Sequence, residues 1–187
     1  MTYIENMKLD IKIPDNVKVN IENNIIYIKG EKGELTRYFS HPKIELKINN
    51  NILEIHGRDI RRKEKAIIGA ISAHINNMIK GVTKGFEYKM KTVFSHFPIK
   101  TMVEGNRFII QNFLGERSPR IVEILPGVTV EVKGEFVTLK GIDKEKIGQT
   151  IANIEKATMV KNRDIRVFQD GVYLVKSGEW KKWQKKT

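Results

Sequence analysis

Apolar and polar residues alternate in short runs through most of the chain. In residues 18–29, apolar side chains alternate on both sides of Asn23-Asn24. Asparagine tolerates the left-handed backbone that a tight turn needs, so this run predicts a β-hairpin. In residues 44–56, Ile44, Leu46 and Ile48 face Ile52 and Ile55 across Asn49-Asn50-Asn51. Gly105-Asn106 and Lys133-Gly134-Glu135 occupy similar turn places further on. A period of two means strands with one buried and one wet face, as in antiparallel sheets. Residues 86–97 predict a further strand, ended by Pro98.

The period changes twice. In residues 61–80, Ile67, Ile68, Ile71, Ile75, Met78 and Ile79 fall at helical spacing. Gly69 and Ala70 are small, which predicts a close approach of one helix face to the sheet. Gly81 is the expected stop. A second helix is expected after Asp143, a suitable N-cap, with Ile147, Ile151 and Ile154 as its stripe.

The two sets of elements are copies of one unit. Residues 17–34 lie over residues 99–116 at an offset of 82, with Asn24 on Asn106 and Gly33-Glu34 on Gly115-Glu116. Residues 44–59 lie over residues 128–143 at an offset of 84, with Gly57 on Gly141 and Asp59 on Asp143. One loop of variable length accounts for the change of offset. The reading is an α+β chain of two tandem homologous domains, each a mostly antiparallel β-sheet with one packed α-helix, plus a basic C-terminal extension. Its boundaries are 1–85 for the first domain, 86–175 for the second and 176–187 for a flexible basic tail. Two copies of about 80 residues are too few and too large for a solenoid. Asp170-Gly171, with apolar residues on both sides, predicts one more turn between strands.

Composition narrows the function. The chain has 187 residues, a formal net charge of +12 and no Cys, and its pI is about 9.8. Lacking Cys, it has no disulfide scaffold, thiolate metal site or thiol nucleophile. No apolar run is long enough to span a bilayer, and the N-terminus lacks a signal-peptide pattern. The expectation is a soluble cytosolic protein with a polyanionic partner.

The motifs offer little catalysis. His41, His56, His74 and His96 share no metal-ligand spacing. Gly30-Glu31-Lys32-Gly33 lacks the lysine and helix of a phosphate-binding loop and reads as a turn. Glu31, Glu34 and Glu116 sit at loops, where solvated charge is the default and a general-acid pair the remote alternative. No enzyme activity, cofactor, metal or small-molecule substrate is expected.

Cations gather toward the C-terminus. From residue 156 to 187 there are nine basic residues, Lys156, Lys161, Arg163, Arg166, Lys176, Lys181, Lys182, Lys185 and Lys186, against three acidic ones. Clustered cations release counterions jointly from a polyphosphate. Arginine forks suit phosphates, and Trp180 and Trp183 beside Lys181 and Lys182 have the chemistry of base stacking. Arg117 and Arg120 lie on a candidate contact loop. Two further clusters are weaker: Arg58, Arg61, Arg62, Lys63 and Lys65 at the first helix start, and Lys80, Lys84, Lys89 and Lys91 around the domain junction. Charges of the latter kind usually form a solvated face.

Several blocks in order resemble a known family. They are Ala73-His74-Ile75-Asn76-Asn77-Met78-Ile79-Lys80-Gly81-Val82-Thr83-Lys84-Gly85-Phe86; Tyr88-Lys89-Met90-Lys91 with His96-Phe97-Pro98; Asn112-Phe113-Leu114-Gly115-Glu116; Gly141-Ile142-Asp143-Lys144 with Ile147-Gly148-Gln149; and Phe168-Gln169-Asp170-Gly171-Val172-Tyr173. Together they resemble ribosomal protein six of the large subunit, in its archaeal and eukaryotic form, over about residues 8–175. The resemblance implies two related α+β domains and a structural, non-catalytic role on large-subunit ribosomal RNA. It implies that the second domain makes most of the RNA contact, near the sarcin–ricin loop where translational GTPases dock. Through residues 160–173, Lys161, Arg163 and Arg166 inherit the contact role. Lys156, Arg117, Arg120, Lys181 and Lys182 complete the candidate set on their chemistry. Expected partners are large-subunit rRNA and neighbouring ribosomal proteins, without a membrane, in a cytoplasmic, ribosome-bound setting. The alternative is a free-standing RNA-binding or protein-interaction module.

Overall fold

The computed structural model describes residues 4–175, and the chain divides into two compact units after Gly85.

In the first unit, strands β1 (Ile4–Lys12), β6 (Ile52–Ile60) and β5 (Ile44–Asn49) form one antiparallel sheet in the order β1-β6-β5. Strands β2 (Lys18–Glu22), β3 (Ile25–Gly30) and β4 (Gly33–Tyr38) form a second. Helix α1 (Arg62–Thr83) packs against β6 of one sheet and β3 of the other. The two expected hairpins are present, and Asn23 and Asn24 both adopt positive φ, 49° and 64°. The core takes Ile26 and Ile28 from β3, Leu53, Ile55 and Ile60 from β6, and Ile68, Ile71 and Ile75 from α1.

The second unit repeats this plan. Strands β8 (Lys100–Glu104), β9 (Arg107–Gln111) and β10 (Arg120–Glu123) make one sheet, ordered β10-β9-β8. Strands β11 (Val128–Lys133), β12 (Phe136–Gly141), β7 (Phe86–Val93) and β13 (Gly171–Val175) make the other, ordered β11-β12-β7-β13. Helix α2 (Lys144–Ala157) is capped by Asp143, whose carboxylate accepts from the Glu145 and Lys146 amides at 2.9 and 3.4 Å. Its Ile147, Ile151 and Ile154 are buried.

Tertiary structure departs from the local pattern in several places. Each unit has two small sheets where alternation alone indicated one, because period two does not say which strands pair. The register sets Ile48 against Leu53, so Leu53 is buried while Ile52 is 37% exposed. Among the described residues, none comes within 4 Å of the Gly69 Cβ position from outside its own helix turn. The close approach is instead at Gly57, where a Cβ would lie 2.7 Å from Ile68. Gly81 is buried inside α1, which runs on to Thr83. The helix ends on Gly85 at φ +73°, whose amide reaches the Lys80 and Gly81 carbonyls, as a left-handed C-terminal glycine does.

A further departure reaches the site. Gly33 pairs with Gly30 in a tight turn and opens β4. Gly115 ends a 3₁₀ turn with Glu116 just after it, and β10 begins only at Arg120. The repeat therefore diverges after β9, where the second unit carries a longer loop.

Candidate nucleic-acid interface

The longer loop after β9 is rigidly built. Asn112, Leu114 and Gly115 all have positive φ, 59°, 51° and 79°. A branched apolar residue holds that conformation only where packing over-determines it, and here both Phe113 and Leu114 are buried. The Asn112 amide donates to the Pro98 carbonyl at 3.1 Å. Arg120 closes the loop. Its Nε and Nη2 donate to the two Glu116 carboxylate oxygens at 2.8 and 2.5 Å, and its guanidinium lies 4.1 Å from the Phe113 ring centre. Its Nη1 donates to the Ala157 carbonyl at 2.6 Å, joining the loop to the end of α2. Hydrogen bonds from Arg120 hold the Glu116 carboxyl below its ordinary range; slight burial opposes this, and the charges of Arg120 and Arg163 reinforce it.

The second element is the connection from α2 to β13, residues 158–170. It contains no strand. The expected hairpin at Asp170-Gly171 is replaced by an anchored loop: Asp170 is buried and accepts from the Ser95 amide at 3.2 Å. The Tyr173 hydroxyl donates to the Gln169 carbonyl at 3.2 Å, with its ring against Gly171. Ahead of these anchors the chain presents Lys161, Arg163 and Arg166, all exposed. The Arg163 guanidinium stacks 4.9 Å from the Phe168 ring centre. Arg166 folds onto Asp164 at 3.2 Å, which keeps the Asp164 carboxyl below its usual range.

The structure thus gathers the candidate residues unevenly. Arg120 ties its loop to the end of α2, which carries Lys156, through Glu116 and Ala157, while Arg163 rests on Phe168. Arg117 is exposed on the same loop as Glu116. Arg120 is committed to bracing and Arg166 is partly neutralised. Lys181, Lys182, Trp180 and Trp183, with the whole expected tail, lie outside the described residues. Of the weaker clusters, Arg58 pairs with Glu45 at 3.3 Å, and Glu64 accepts from the Arg61 amide at 2.8 Å. Lys91 meets Glu135 at 3.8 Å.

One feature escaped the sequence. Met159, Ile165 and Val167 are 59%, 69% and 66% exposed. Met159 and Ile165 line a groove of about 870 Å³ with Lys156, Val160, Phe168 and Tyr173. As a strand arm, this stretch would bury half its apolar residues; as an anchored loop it buries few. The lack of any sustained period in residues 159–168 was the available signal.

Among the described residues no group of His, Asp or Glu could hold a metal ion, and no helix is long and apolar enough to cross a membrane. The histidines are dispersed: His56 pairs with Glu54, and His96 packs edge-on to Phe97.

Comparison with known proteins identifies the architecture. Residues 13–85 and 97–171 each match the family described as Ribosomal protein L6. The chain is 49% identical over 167 residues to Large ribosomal subunit protein uL6 of Methanobrevibacter smithii, covering 89% of this chain and 93% of that one. It is 47% identical to the protein of the same name from Aeropyrum pernix, over 88% and 91% of the two chains. With that of Methanothrix thermoacetophila it shares 46% identity, over 92% and 98%. The doubled match reproduces the internal repeat, and the chain belongs to the ribosomal protein L6 family, whose members are structural rather than enzymatic.

Proposed function

We propose that the chain is a structural constituent of the large ribosomal subunit that binds large-subunit rRNA chiefly through its second unit, near the sarcin–ricin loop and the docking region of translational GTPases. The observation that carries the reading is the pair of braced loops in that unit, one presenting Arg117 and the other Lys161 and Arg163 after the helix end that carries Lys156. Rigid loops let these cations meet phosphates with little loss of backbone freedom on binding. RNA helices are read by shape and backbone more than by base edges, which suits a surface of separated cations. The chain's own residues neutralise charge and hold two RNA segments at a fixed spacing, and no bond is made or broken. Neighbouring ribosomal proteins and a cytoplasmic, ribosome-bound location belong to the same reading.

Co-sedimentation with large subunits tests it. At moderate salt the protein is expected in the subunit fraction at one copy per particle. Failure to sediment there would sink the assignment.

A further inference from the structure

We propose that the groove between the end of α2, residues 159–169 and β13 is the seat of an unpaired nucleobase extruded from the bound RNA. The proposal rests on the RNA-binding reading above and extends it from phosphates to a base. The groove floor is apolar and aromatic, formed by Met159, Val160, Ile165, Phe168 and Tyr173. A contiguous exposed apolar surface of this kind marks a place that a partner covers. About 870 Å³ falls in the range of pockets that take compact organic ligands.

The rim decides the occupant. Lys156 lines the groove, Lys161 follows Val160 directly, and Arg163 lies over Phe168 on the groove wall. Asp164 is paired with Arg166, and Glu155, which also lines the groove, accepts from the Leu174 amide at 3.0 Å. Lys156, Lys161 and Arg163 outnumber that carboxylate, so the charge around the apolar floor is net cationic, which complements a flat base joined to phosphates. A peptide strand is a poor fit. The outer edge of β13, the usual template for adding a strand, has its Val172 and Leu174 amides taken by Thr158 Oγ1 at 3.2 Å and by Glu155.

The test uses the full chain and protein-free large-subunit rRNA. A groove variant, Met159→Ser with Ile165→Ser, alters exposed side chains only. It is expected to weaken binding about tenfold, the scale of unstacking one base, without changing the salt dependence. A rim variant, Lys161→Ala with Arg163→Ala, is expected to weaken binding and flatten the salt dependence. A benzophenone side chain placed at Met159 is expected to cross-link to an unpaired nucleotide. If the rim variant weakens binding while the groove variant stays within about twofold of the parent, the base seat is wrong and the RNA reading stands. If neither variant weakens binding, the RNA is held elsewhere and the base seat falls together with the placing of the contact on these loops; if the parent chain fails to bind rRNA at all, the RNA reading itself fails. A cross-link to a ribosomal protein in intact subunits would overturn the base seat in favour of a protein partner.

Discussion

The Arg120 guanidinium lies 4.1 Å from the centre of the Phe113 ring while its Nη1 donates to the carbonyl of Ala157, 37 residues away. One side chain thus stacks on the loop, grips Glu116 within it and ties it to the end of α2. All three interactions use the planar fork, which lysine lacks.

Arg120→Ala is therefore expected to lower the stability of the protein by about 2 kcal/mol, because a charged hydrogen bond and a cation–π interaction disappear together. Arg120→Lys should recover little of it. Thermal unfolding checks this. RNA affinity should fall with a nearly unchanged salt slope, since the residue braces the loop.

Arg163→Ala should behave in the opposite way. Its side chain is exposed and loses only its stacking on Phe168, so the melting temperature should fall far less than for Arg120→Ala. For each phosphate that loses its cation, the slope of log affinity against log salt should shrink by about one. Arg166→Ala should have the smaller effect of the two, because Asp164 already occupies its fork. Binding titrations at several salt concentrations separate the variants. An equal fall in melting temperature would make the two arginines structural.

Glu54 gives a pH prediction. It is only 9% exposed on β6 and accepts from Lys8 and His56, each at 2.8 Å. Hydrogen bonds from Lys8, His56 and Asn49 bring its pKa from an ordinary 4.5 down to about 2. The ionised form is thus favoured in the folded state. Its stabilisation is complete above pH 4.5 and is lost as pH falls toward 2. Glu54→Gln should flatten the fall of stability across that window, as followed by denaturant unfolding at stepped pH. An unchanged acid profile would refute the assignment.

Thr92 offers a stabilising change. It is buried on β7, and its hydroxyl has no hydrogen-bond partner among the described residues. Thr92→Val keeps the shape and removes the unpaired polar atom, so a gain of about 1 kcal/mol is expected in unfolding experiments. A loss of that size would mean the hydroxyl does find a partner.

Much of the fold was legible because its causes are local. The Asn23-Asn24 turn, the Asp143 cap and the isoleucine stripes of both helices each act within a few residues, where side-chain period and backbone preference decide the outcome. What stayed illegible depended on distant residues. Arg117 and Arg120 look alike in sequence, yet only Arg120 meets Glu116, Phe113 and Ala157 among the described residues. Asp170-Gly171 has the grammar of a hairpin, but burial of Asp170 against the Ser95 amide, 75 residues earlier, makes it an anchor.

Periodicity and composition, summed along the chain, were enough for the doubled α+β unit, the main hairpins and helix of each copy, and the surplus of positive charge; strands β1, β4 and β10 were not among them. Tertiary structure alone decided that each unit divides its strands between two sheets, that the repeat diverges after β9, and which cations are spent on bracing and which are presented. It also left Met159 and Ile165 exposed beside Lys156. The reason is that an arginine's energy depends on which carboxylate, ring or carbonyl the fold brings within reach, and an apolar side chain's on what the fold lays over it.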